Sequence, residues 1–130
     1  MIRYAVLALG LTIASATPGA TQQSAVEQRQ QDRLAKALAG LTPGKPVHCL
    51  SHHDVTSLKA YGNTIVYTQG RNRKWINDTG GGCSRLDDDL IVSRTTMSQY
   101  CRGDIIETRD RTGGMTTGVC SLGEFVPYSK

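Results

Sequence analysis

The chain has 130 residues, enough for one domain, and carries 15 Lys and Arg against 11 Asp and Glu, a formal charge of +4. The charges are mixed along the sequence instead of gathered into a stripe, which argues against a nucleic-acid binder. One Trp, one Phe and a hydrophobic content of 38% exclude a large core, so any cross-link carries unusual weight.

Residues 1–16 read as a signal peptide. Arg3 gives a short positive start, residues 4–14 are an apolar run, and Ala14-Ser15-Ala16 is a small-x-small cleavage site. The run falls short of the about 20 apolar residues that a membrane-spanning helix needs. A cut after Ala20 would put Pro18 in the recognition triplet, so cleavage after Ala16 is preferred. No cysteine lies near either position, which disfavours lipid attachment there. The mature chain is expected in the periplasm or outside the cell, without a membrane span.

Residues 17–44 form a polar segment with one helix. Ser24-Ala25-Val26-Glu27 is a capping box, in which each end residue bonds the other's backbone. Leu34, Leu38 and Leu41 follow at spacings of four and three, and Gly40 is a natural stop, so the pattern predicts a helix over 25–39. Its first half is polar all round. It reads as a spacer helix docked by its last turns, in preference to a partner-binding helix.

Thr42-Pro43-Gly44-Lys45-Pro46 is a breaker, and residues 45–130 change character to β-branched residues and glycines. Short strands are predicted over 47–50, 63–69, 73–78, 90–96, 104–109 and 119–126, while 51–61 is ambiguous. Gly70-Arg71-Asn72 is a turn, residues 79–82 form a loop before Cys83, and residues 112–118 form a hairpin loop. Turn signals about every ten residues predict a mainly β fold: a small antiparallel meander or partly closed barrel.

Four cysteines in an exported chain read as two disulfides, because that compartment keeps thiols oxidised. Zinc is disfavoured, since Cys49, Cys83, Cys101 and Cys120 contain no C-x-x-C pair. Four cysteines allow three connectivities. The expected one is Cys83–Cys101, flanking a single strand, with Cys49–Cys120 tying the first strand to the last. Loop entropy values these at about 3 and about 4 kcal/mol.

No catalytic constellation emerges. His48, His52, His53 and Asp54 are the one histidine cluster, and a metal site or a small hydrolase could draw on them. Adjacent residues of an extended chain point to opposite sides, however, and no second cluster completes a site. No serine stands in a G-x-S-x-G context. Asp87-Asp88-Asp89 lacks the alternation, glycine and distal Glu of an EF-hand loop. Arg102-Gly103-Asp104 matches the integrin tripeptide but reads as turn chemistry beside a cysteine. Asn77-Asp78-Thr79 fits a glycosylation pattern. Arg71, Arg73 and Lys74 beside Trp75 are the densest basic patch, either a charged hairpin tip that protects an edge or a contact for an anionic glycan, lipid head group or acidic partner.

Several pieces together, notably Gly80-Gly81-Gly82-Cys83, Cys101-Arg102-Gly103-Asp104 and Cys120-Ser121-Leu122-Gly123-Glu124-Phe125-Val126-Pro127-Tyr128, carry a resemblance. The chain resembles a family of small exported proteins of Gram-negative bacteria whose function is unknown. The resemblance implies export and bridged cysteines, and it brings no catalytic residues with it. The reading that results is a non-enzymatic binding or accessory module of the cell envelope, without a cofactor, whose partner is an envelope protein or glycan. The alternative is a small hydrolase or metal-dependent enzyme built on residues 48–54.

Overall fold

A computed structural model describes residues 24–130. The expected signal peptide and both candidate cleavage sites lie outside the described residues.

Helix α1, Ala25–Ala37, starts where the capping box puts it: the Glu27 amide donates to Ser24 Oγ at 3.3 Å, and the Ser24 amide donates to Glu27 Oε2 at 3.1 Å. It ends two residues before the predicted limit, because the Leu38 and Ala39 amides already close the last turn onto Leu34 and Lys36. Gly40, at φ 77°, then takes the left-handed conformation that releases the chain. Lys74 Nζ donates to the Ala37 carbonyl and so satisfies one of the acceptors a helix end leaves bare.

Ten strands follow: β1 (Thr42–Pro43), β2 (Cys49–Ser51), β3 (Ser57–Tyr61), β4 (Thr64–Gln69), β5 (Arg73–Asp78), β6 (Leu90–Arg94), β7 (Gln99–Cys101), β8 (Ile105–Arg109), β9 (Thr116–Ser121) and β10 (Phe125–Ser129). They make a five-stranded sheet in the order β1-β10-β5-β4-β3, a three-stranded sheet β6-β8-β9 and a two-stranded pair β2-β7. All pairings are antiparallel, and the sheets do not close into a barrel. The ambiguous stretch 51–61 resolves into a short 3-10 turn, His52–Asp54, and then β3.

Register explains the core. Ala60, Ile65 and Asn77 lie opposite one another on one face of the five-stranded sheet, with Leu58, Tyr67 and Trp75 in the next row. Ile106 and Thr108 of β8 face them from the three-stranded sheet, and Leu50, Leu86, Leu122 and Phe125 fill the space between. Alternation sends Val66 the other way. It is buried at 3% exposure yet lies outside that cluster, on the outer face of the five-stranded sheet, where α1 packs over the β3 side. Gln30, Leu34, Ala37, Leu38 and Leu41, the shielded stripe of the helix and its exit, fall at helical spacing. A 13-residue helix and a six-residue strand are both about 20 Å long, so one turn-for-turn layer suffices.

Two expectations are corrected. The disulfides are Cys49–Cys101 and Cys83–Cys120, not Cys83–Cys101 and Cys49–Cys120. Cys83 packs against the three-stranded sheet, with Sγ 3.8 Å from the Ile106 carbonyl and its Cα 5.5 Å from that of Cys120 in β9. A disulfide needs Cα atoms within about 7 Å. Cys49 and Cys101 instead are direct cross-strand partners in the β2-β7 pair, with Cα atoms 4.1 Å apart.

The predicted strand over 119–126 is two strands in different sheets, β9 and β10. The break is at Gly123, whose amide donates to Asn77 Oδ1 and whose carbonyl accepts from Asn77 Nδ2, each at 2.8 Å. A Cβ on Gly123 would stand 2.6 Å from the Asp78 carbonyl oxygen, closer than any side chain tolerates. Glycine lets the backbone pass there, and the buried Asn77 supplies the partners that a ladder would have given.

Candidate functional site

The histidines do not assemble. His48 is 72% exposed, with Nδ1 3.7 Å from Glu124 Oε1, an oxygen that also accepts from Arg102 at 3.2 Å. His52 lies in the 3-10 turn with its ring centroid 3.9 Å from that of Tyr100, and its Nε2 is buried without a partner among the described residues. His53 and Asp54 are exposed. Among the described residues no three His, Cys, Asp or Glu side chains stand where they could hold a metal ion. Proximity in sequence is undone by the alternation of β2 and the turn that follows it.

The other sequence motifs are engaged in architecture. Asp89 is buried, held by Arg85 Nε at 3.3 Å and by the Thr117 hydroxyl, whose oxygen lies 3.0 Å from Thr108 Oγ1. Asp87 accepts from Gln30 of α1, and the Asp88 carbonyl accepts from Arg111 Nε at 2.7 Å. The aspartate run therefore pins loop, helix and hairpin together. In the Arg102-Gly103-Asp104 turn, Asp104 Oδ2 accepts from the Cys101 amide at 2.8 Å and the Gly103 amide bonds the Leu122 carbonyl at 2.9 Å. The Asn77 amide group is buried and consumed by Gly123, which removes it as a glycan acceptor. Burial pushes the Tyr67 hydroxyl well above the ordinary tyrosine range, so this ring in the core stays protonated.

The basic patch is divided by strand alternation. Arg73 and Trp75 share a face: the Arg73 guanidinium lies 5.8 Å from the indole centroid, and Trp75 Nε1 donates to Gln69 Oε1 at 2.9 Å. Lys74 points to the opposite face, where α1 takes it up. Arg71 stands exposed at the hairpin tip. Of the four residues, only Arg71 and Arg73 make no side-chain hydrogen bond among the described residues.

A surface that sequence reading missed lies on the outside of the three-stranded sheet. Leu90, Ile105 and Val119 are 46%, 43% and 53% exposed, and registry puts Val92, Glu107 and Val119 in one row across it. Met97 and Met115 stand exposed in the loops at its ends. In its middle, Glu107 accepts from Arg94 Nε at 2.6 Å and from Arg109 Nη2 at 3.2 Å. Those guanidinium groups, Arg94 foremost, hold its carboxyl below the usual carboxylate range. Apolar residues fall on both faces of β8, so its alternation alone did not separate core from surface.

Compared with protein-family models, with curated proteins and with solved structures, the chain matches none.

Proposed function

We propose that the protein is an exported, non-enzymatic accessory module of the cell envelope that binds another envelope protein through the outer face of its three-stranded sheet. The observation that carries this reading is that face: Leu90, Ile105 and Val119 exposed together on one sheet, with Met97 and Met115 at its ends. Exposed apolar side chains grouped in this way mark contact surfaces, whereas single ones carry no such meaning. The paired Arg94, Glu107 and Arg109 supply the polar element that protein interfaces combine with an apolar centre. Two disulfides support an oxidising compartment, and no helix among the described residues is long and apolar enough to cross a membrane.

The test is crosslinking in the producing cell with the native chain, Val119→Asp and Val26→Asp, the last being an apolar residue on α1 that is 64% exposed. A single crosslinked partner, retained by Val26→Asp and lost by Val119→Asp, is expected. A partner retained by Val119→Asp would overturn the assignment of the face. A self-crosslinked dimer would replace the envelope partner with a second copy of this chain.

A further inference from the structure

Arg85, Arg94, Arg102 and Arg109 each have a carboxylate partner, and all belong to the three-stranded sheet or the loops around it. Arg33 and Lys36 of α1 and Lys59 of β3 have none among the described residues. These three nevertheless converge. With Ala37 and Tyr61 they line an open groove of about 450 Å³ between the helix and the edge strand, and among the described residues no carboxylate lines it.

Bringing like charges together costs free energy. Arg33 and Lys36 are three residues apart on one helix face, where like charges repel by a few tenths of a kcal/mol, and Lys59 adds to the repulsion from the sheet. Lys74, the remaining cation on this face, is already engaged with the Ala37 carbonyl and answers the negative end of the helix. Lys59 Nζ is 5.4 Å from the Tyr61 ring centroid, which holds the ammonium on the groove's side of the strand. An oxyanion in the groove would turn three mutual repulsions into three attractions. The guanidinium fork matches two oxygens of a phosphate, and the ammonium groups act as point charges.

We infer that the groove between α1 and β3 is a binding site for a multiply charged phosphate group, held by Arg33, Lys36 and Lys59 against the Tyr61 ring. Free polyphosphate and a phospholipid headgroup present the same chemistry. The site is independent of the apolar face, since it belongs to the other sheet.

Titration calorimetry of the whole protein with tripolyphosphate at low ionic strength tests it, alongside co-sedimentation with phosphatidylcholine vesicles with and without phosphatidylglycerol. Binding should weaken at least about tenfold in Lys36→Glu/Lys59→Glu. It should change less than about twofold in Arg29→Glu, an exposed cation of the same helix outside the groove, and fall as salt shortens the screening length. Circular dichroism of the double variant verifies that the helix is intact. Binding to phosphatidylglycerol vesicles alone, lost in the same variant, keeps the site and assigns its phosphate to a headgroup. No binding to either probe, or equal loss in Arg29→Glu, overturns the proposal. Val119→Asp should leave both titrations unchanged, so failure here and failure of the protein-binding reading are separate results.

Discussion

In the five-stranded sheet one face is buried in the core and the other is partly covered by α1. Ile65 and Tyr67 have no exposure on the core side, and Val66, between them in sequence, is 3% exposed on the outer face. In the three-stranded sheet only one face is covered. Ile106 is fully buried, while Ile105 beside it is 43% exposed. The cross-links lie outside the five-stranded sheet, and only one of them reaches a strand of the three-stranded sheet. Cys83–Cys120 fixes the loop after β5 onto β9, and Cys49–Cys101 closes the β2-β7 pair. Where a second layer of apolar side chains exists, burial holds the sheet. Where one face is left bare, covalent closure and ion pairs take over that role.

The largest effect that comparison predicts is on removal of Cys83–Cys120. Closing a loop with a sequence separation of 37 stabilises by about 4 kcal/mol on the loop-entropy model, and the separation of 52 for Cys49–Cys101 gives nearly the same figure. The bridges differ in burial. Cys83 and Cys120 belong to the core cluster, whereas Cys49 is exposed. Cys83→Ala/Cys120→Ala should therefore lose the loop term plus the packing of two buried sulfurs, and Cys49→Ala/Cys101→Ala the loop term alone. Urea unfolding of the two double variants measures this. Equal midpoints would show that cross-linking matters and burial of the bridge does not.

The second prediction addresses the seam where the chain passes from the three-stranded to the five-stranded sheet. Asn77→Ala leaves the Gly123 amide and carbonyl without partners in a closed site, at a cost of about 2–3 kcal/mol. The Gly123 amide should also lose its protection from hydrogen exchange ahead of β4 and β5. A loss below about 0.5 kcal/mol would mean that water satisfies these groups, and the two halves would then be held by the core alone.

How much of this could be read from the residues depends on how local each signal is. The capping box of Ser24 and Glu27 lies within four residues, and the helix begins where it says. Five of the six predicted strands stand within a few residues of their expected positions, because period-2 alternation is a property of short windows. The break at Gly123 was not legible. Leu122 and Phe125 continue the apolar run, and what ends the strand is the Asp78 carbonyl, 45 residues earlier. The disulfide pairing failed for the same reason, since it depends on β2 lying beside β7. Contiguity misled in the opposite direction at Arg73, Lys74 and Trp75, neighbours in sequence that one peptide step sends to opposite faces. Arg33, Lys36 and Lys59 had no local signature, and only the packing of α1 on β3 unites them.

The smallest effect predicted concerns Glu107, and it separates the halves by pH. Its carboxyl is held below the ordinary glutamate value of 4.5 by hydrogen bonds from Arg94 and then Arg109, both on the bare face. The folded state therefore binds this proton less readily than the unfolded chain does. The resulting stabilisation is fully present above about pH 4.5 and is lost as pH falls through the lower folded-state value. Asp110 behaves alike. The amides of Gly113, Gly114 and Thr112 lower its carboxyl from 3.8, and its loss falls at more acid pH. Both groups belong to the three-stranded half, so acid should loosen that half first. Urea unfolding of the native chain and Glu107→Gln from pH 7 to 3 checks this: the variant should be less stable at pH 7, and the two curves should converge as Glu107 is protonated. Parallel curves over the whole range would show that the Arg94–Glu107–Arg109 cluster is too well solvated to stabilise the sheet, leaving the cross-links as its support.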